Sequence, residues 1–186
     1  VFGLMDFVTQ QNRTYDGLRD YHRDFIGLDE VKAWLNEAQK DIAARTKVLR
    51  KEVTQATTAI SSAGLVPIPA DFLQMVSLRF GTSDVIWVDD DTYWTYRDNS
   101  ATPVEGDYVG HLFGTNIEVY PLIAAGSSYT LRYVYEPADL SADADTSALP
   151  PELHIKMVYY ARAHGFLREN ELDQAATWME MYERGL

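Results

Sequence analysis

Residues 75–80 read MVSLRF, where Val76, Leu78 and Phe80 alternate with Ser77 and Arg79. A two-residue repeat is that of a half-buried strand, because successive side chains in a strand point to opposite faces. Upstream the period differs. Between Asp29 and Lys47 the apolar positions Val31, Leu35, Ala38 and Ile42, with Leu28 and Leu49 flanking them, recur at helical spacing, and Asp29 stands where an N-cap would satisfy free amides. Downstream, VIWV, TYWTY, YVGHLF, IEVY and YTLRYVY follow as short segments. Gly81-Thr82-Ser83-Asp84, Gly114-Thr115-Asn116 and Gly126-Ser127-Ser128 read as turns among them. Short strands joined by tight turns predict antiparallel pairing, since parallel neighbours need long crossovers. In the last strand Tyr129, Leu131, Tyr133 and Tyr135 share one face.

Helix returns after the polar loop SADADTSA. Pro150 and Pro151 suit a helix entry, and Leu153, Met157, Tyr160, Ala161 and His164 line one face while Ile155, Val158 and Tyr159 cover much of the rest. Such a helix is buried either within its own protein or beneath another subunit. Gly165 is placed to break or bend it. Beyond, Leu172, Ala175, Ala176, Met179 and Tyr182 make a packing stripe, with Trp178 and Met181 on a different face.

The predicted fold is therefore α+β: a helical bundle of an early helix (28–50) and a C-terminal helical pair (150–184), with an inserted antiparallel β-sheet or hairpin region at about 54–136. Residues 1–27 are an arm, whose polar, aromatic-dotted TQQNRTYDGLRDYHRDFIG fits a short helix or an extended segment, and residues 28–186 are a single domain.

Composition narrows the function. The 186 residues are 46% hydrophobic and 24% charged, as in ordinary globular proteins, and contain no cysteine, which excludes disulfides, thiolate metal sites and cysteine catalysis. No apolar run approaches a membrane span, and VFGLMDFV lacks the flank and core of a signal peptide, so synthesis in the cytoplasm is expected. The formal charge of −12 opposes broad contact with nucleic-acid phosphates. That acidity is local. Asp84, Asp89, Asp90, Asp91, Asp98, Glu105 and Asp107 face only Arg97 in sequence, whereas residues 29–47 carry four charges of each sign. A concentrated acidic segment is either a solvated face or a surface that repels phosphate or binds a basic partner.

Catalytic patterns are missing. His22, His111, His154 and His164 stand in no metal-binding spacing, and no phosphate loop, nucleophile elbow or dinucleotide fingerprint occurs. VDDDTYW and SADADTS lack the central Gly and terminal Glu of a calcium loop. The expectation is a non-enzyme without a cofactor or metal.

Four stretches, in this order, resemble the tailed-bacteriophage head-tail adaptor (head-completion or connector) proteins. AWLNEAQKDIAART holds Asn36, Glu37 and Ala38 where the family shows Asn-Glu/Asp-Ala. LVPIPADFLQMVSL resembles the family's Leu-Pro-x-Asp-Phe strand entry through Ile68, Pro69, Asp71, Phe72 and Leu73. GTNIEVYPLIAAGSSYTLRYVYEPADL resembles its Gly-x-x-Ile-x-Val-x-Pro hairpin through Gly114, Ile117, Val119 and Pro121, followed by Tyr129, Leu131, Tyr133 and Leu140. Residues 149–186 resemble its closing helical pair. The arm and VIWVDDDTYWTYRDN depart from the pattern, the latter in length and acidity.

The resemblance implies a structural virion protein of the neck, forming a ring, usually twelve-fold, that joins the portal protein to a tail, nozzle or stopper protein and lines the DNA conduit. Neighbouring copies would be partners, genomic DNA would pass without tight binding, and no membrane would be involved. It implies an interface with portal or neighbour at Trp178, Met181 and Tyr182, and a channel- or tail-facing segment holding Asp89, Asp90, Asp91, Asp98, Glu105 and Asp107. The rival class is a carbohydrate-binding or hydrolysing module using residues 85–98, with Trp87, Tyr93 and Trp94 as a stacking platform beside paired carboxylates. A bacterial envelope or secretion component is a third reading, weakened by the missing signal peptide.

Overall fold

Five α-helices and seven strands make up the computed structural model, which describes residues 3–18, 25–55, 65–99, 108–123 and 127–186. The chain divides into two compact units, a helical one from Val1–Leu49 with Glu136–Leu186 and a sheet unit from Arg50–Tyr135.

The helical unit contains α1 (Phe7–Leu18), α2 (Leu28–Thr46), α4 (His154–Arg168) and α5 (Leu172–Glu183). Of the two forms open for the N-terminal segment, residues 7–18 take the helix, burying Phe7 and Leu18. Helix α4 packs against α1, α2 and α5, so its nearly all-round apolar surface is covered by three helices of its own unit. Gly165 does not break it, since α4 runs on to Arg168. A Cβ there would lie 2.6 Å from Leu18 Cδ2, so the missing side chain is what lets α1 approach α4.

Helix α2 starts one residue before the expected cap. Gly27 is the N-cap, its N–H donating to the Glu30 carboxylate at 3.1 Å. It also ends earlier than residue 50, where Lys47 turns left-handed (φ 54°) and donates its N–H to the Ala43 carbonyl. Its buried face includes Val31, Leu35, Ala38 and Ile42, as the periodicity predicts. Asn36 pins the loop after the sheet by donating to the Leu140 carbonyl (3.1 Å) and accepting from the Leu140 N–H (2.8 Å). Gln39 adds a bond to the Ala138 carbonyl and receives one from Ser147. His154 is structural too. Its Nδ1 accepts from Met5 N–H, which leaves Nε2 to donate to the Leu149 carbonyl.

In the sheet unit the strands are β1 (Arg50–Gln55), β2 (Leu65–Pro67), β3 (Phe72–Phe80), β4 (Ser83–Trp87), β5 (Tyr108–Phe113), β6 (Asn116–Tyr120) and β7 (Tyr129–Tyr135). They form one sheet in the order β1-β7-β3-β4-β5-β6-β2. The shared face of the last strand is confirmed: Tyr129, Leu131 and Tyr133 are buried with Leu78, Phe80, Val85, Ile117 and Val119.

Three features differ from the sequence reading. Val76 is 41% exposed, because the β3–β7 register slips between Met75↔Tyr133 and Ser77↔Arg132 and leaves Val76 as the extra, outward-turned residue of a bulge. TYWTY is helix rather than strand, lying inside α3 (Asp90–Asp98). Finally, β4 and β5 pair in parallel, with α3 in the crossover between them.

Candidate functional site

The acidic segment begins as a helix start. Asp89 caps α3, its carboxylate accepting the Thr92 N–H at 2.8 Å, and Asp90 and Asp91 occupy the first turn, where the helix dipole favours negative charge. Those bonds to Thr92 hold the Asp89 carboxyl below its ordinary pKa.

A buried histidine fastens α3 to the β5–β6 hairpin. His111, on β5, turns Nδ1 to Asp90 at 2.6 Å and Nε2 to Glu118 at 3.3 Å. Tyr93 is buried against the imidazole, and burial, then the Glu118 charge, pushes its phenol up. Arg97 reaches Glu118 at 3.7 Å and covers one face of Trp94, its guanidinium 4.9 Å from the ring centroid. Asp91, Trp94 and Asp98 remain exposed on the outer side of the helix. Glu105 and Asp107 lie outside the described residues.

This arrangement gives a sugar platform no support. Trp87 packs against the sheet core and Tyr93 is buried, leaving Trp94 as the exposed aromatic ring of α3, and Asp90 and Glu118 bracket one imidazole instead of facing each other across an open cleft. No group of three His, Asp or Glu side chains converges on a metal position among the described residues.

On α5 the three predicted interface residues part company. Tyr182 is buried: its hydroxyl donates to Asp41 and its ring meets Tyr160 edge-on at 5.1 Å. Burial, reinforced by Asp41, drives its phenol far above the ordinary range. The helical repeat had already placed it in the packing stripe. Trp178 is half-buried, against Tyr159 at 5.5 Å and under the Arg162 guanidinium at 4.5 Å. Met181 is 42% exposed. A second apolar group of this unit, Phe25, Leu28, Leu167 and Leu172, is exposed, so Leu172, like Ala176, does not belong to the packing stripe that the sequence reading drew on α5, where Ala175 and Tyr182 are the buried members. Arg168 links the elements that bear it, reaching Glu30 at 3.2 Å and lying over the Phe25 ring. Their signal was present as unpaired Leu and Phe at helix ends, where periodicity is weakest.

The family model described as SU10 adaptor protein matches residues 13–186. No curated protein matches the chain.

Proposed function

This chain belongs to the SU10 adaptor protein family, a phage structural adaptor, and we propose that it forms a ring in the virion neck that joins the portal protein to the next tail component. The observation that carries this reading is the family match, which runs through both units to the last helix.

The physical features agree with it. A ring subunit meets its neighbours through two different surfaces and so carries more exposed apolar area than one core needs. Met181 and the rim of Trp178, supported from beneath by Tyr182, serve as the contact with portal or neighbour. The acidic α3, with Asp89, Asp90, Asp91 and Asp98, faces the channel or the tail, where carboxylates repel passing phosphates. No helix among the described residues is long and apolar enough to cross a membrane.

The test is mass photometry or negative-stain imaging of the chain mixed with the portal protein of the same phage. Portal rings that gain an even layer of added subunits are the expected result, and Met181→Glu should thin that layer. Portal rings of unchanged mass would refute the reading.

A further inference from the structure

One end of the helical unit leaves apolar side chains uncovered. Arg168 reaches Glu30 at 3.2 Å and the His164 ring lies 6.1 Å from that of Trp34, so α4 finishes where α2 begins. The turn from α4 into α5 therefore stands beside the start of α2. There Phe25 is 60% exposed, Leu28 47%, Leu167 45% and Leu172 61%. Arg168 also lies over the Phe25 ring, which joins the two elements in one surface. A hollow of about 460 Å³ runs along the first turn of α5, lined by Asn170, Glu171, Leu172, Asp173 and Gln174.

The charge around these side chains has one sign. Residues 25–30 and 167–174 hold Asp29, Glu30, Glu169, Glu171 and Asp173 against Arg168 alone. Residues 19–24 carry two charges of each sign and leave that balance unchanged. Glu30 is occupied, accepting the Gly27 N–H and pairing with Arg168. Asp29, Glu171 and Asp173 are exposed, and their carboxylates make no ion pair among the described residues. Glu171 stands at the N-cap of α5 without using its side chain as a cap. Leu28 thus adjoins one free carboxylate in the chain, and Leu172 stands between two.

Three kinds of occupant fit such a surface badly. Lipid headgroups and nucleic-acid phosphates are repelled by it. A second copy brings the same formal charge of −12, and its Lys40, Arg45, Lys51, Arg79, Arg132 and Arg184 are already ion-paired. An apolar stripe edged by cations is what a basic amphipathic helix presents, and such helices dock through apolar anchors one turn apart. We infer that this end of the helical unit is the docking surface for a basic amphipathic helix of another protein, with Leu172 and Leu28 receiving its apolar face and Asp29, Glu171 and Asp173 its cations. The surface is separate from the Met181 contact, which stands about 14 Å further along α5 by helical rise. It does not depend on whether copies of the chain close a ring.

The probe is a fluorescent peptide of about 14 residues, leucine on one helical face and lysine elsewhere, added to the full chain. Saturable binding is expected, with slowed amide exchange at residues 28–30 and 170–174. Leu172→Ser changes an exposed side chain and should weaken binding about tenfold. Glu171→Gln with Asp173→Asn should weaken it and flatten its salt dependence, while Leu122→Ser, at an exposed position of the sheet unit, should leave it unchanged. Failure to bind, protection at α3 instead, or equal binding of a peptide with the same leucines scattered would overturn the proposal. The absence of cysteine allows a photo-crosslinker to be placed at Leu28→Cys alone. In virions built with that variant it should join a Lys- or Arg-rich segment of another protein, and a join to a second copy or to an acidic segment would overturn the choice of partner. A chain absent from the virion would refute the adaptor reading and leave the peptide to decide this one.

Discussion

The Tyr93 ring lies stacked on the His111 imidazole, 4.1 Å between centroids and 24° from parallel. Because His111 is only 2% exposed and also meets Asp90 and Glu118, that one side chain fastens α3 to the hairpin. His111→Ala removes the stacking partner, opens a cavity and leaves Asp90 and Glu118 without the ring that both contact. The expected cost is about 2–4 kcal/mol. Hydrogen exchange should show it in place: α3 amides lose protection, while α2 and α4 amides stay near their wild-type rates. Unchanged α3 protection would mean that the helix is held by other contacts.

Gly165 and Leu18 provide a second test, because two effects oppose each other. Gly165→Ala should gain about 1 kcal/mol in helix propensity, yet its Cβ would stand within 2.7 Å of both Leu18 methyls. Overpacking a filled site costs about 1–3 kcal/mol, so the substitution is expected to destabilise. In a double-mutant cycle with Leu18→Ala, the pair should cost about 1 kcal/mol less than the sum of the singles. Additive values in urea denaturation would show that Leu18 does not set the fit.

Much of this fold is legible in the sequence where a single period dominates. The helical stripe of α2 and the alternation of β7 were read correctly because each buries one continuous face. The errors arose where two signals competed. In DDDTYWTY the alternating aromatics suggested a strand, while Asp89, Thr92 and two first-turn aspartates spelled a capped helix, and the cap prevailed. At Val76 strict alternation failed because a bulge is a local insertion against β7, a partner more than fifty residues away. The site was only partly legible for a similar reason. Helical spacing puts Tyr182 in the packing stripe of α5 and Trp178 with Met181 on another face, but how deeply a ring is buried depends on partners such as Asp41 and Tyr160, which sequence spacing cannot place beside it.

Asn36 has its effect at a distance of more than a hundred residues. Its side chain both donates to and accepts from the Leu140 backbone, holding the segment by which the chain returns from the sheet to α4. Asn36→Ala leaves both backbone groups to find other partners, and the expected loss is about 1–3 kcal/mol. Asn36→Asp keeps the acceptor and loses the donor, so it should fall between wild type and Ala. Thermal denaturation of the three proteins should rank them in that order.

Acid should loosen the loop before α4 in a defined direction. The Asp145 carboxylate accepts the backbone N–H groups of Ser141 and Ala142, each at 2.8 Å, and these bonds hold its carboxyl below the ordinary value of 3.8. A carboxyl whose pKa is lower in the folded state stabilises the fold fully above its unfolded value and loses that contribution as pH falls through the folded one. The loss should therefore begin below about pH 4 and be absent at neutrality. Since Phe7 and Val8 donate their N–H groups to the Asp145 and Asp143 carbonyls, loosening the loop should also free the start of α1. Asp145→Ala should expose this at neutral pH, as faster hydrogen exchange at residues 7 and 8, and should flatten the acid limb of the stability curve. A variant whose acid limb matched that of the wild type would show that other carboxyls govern the transition.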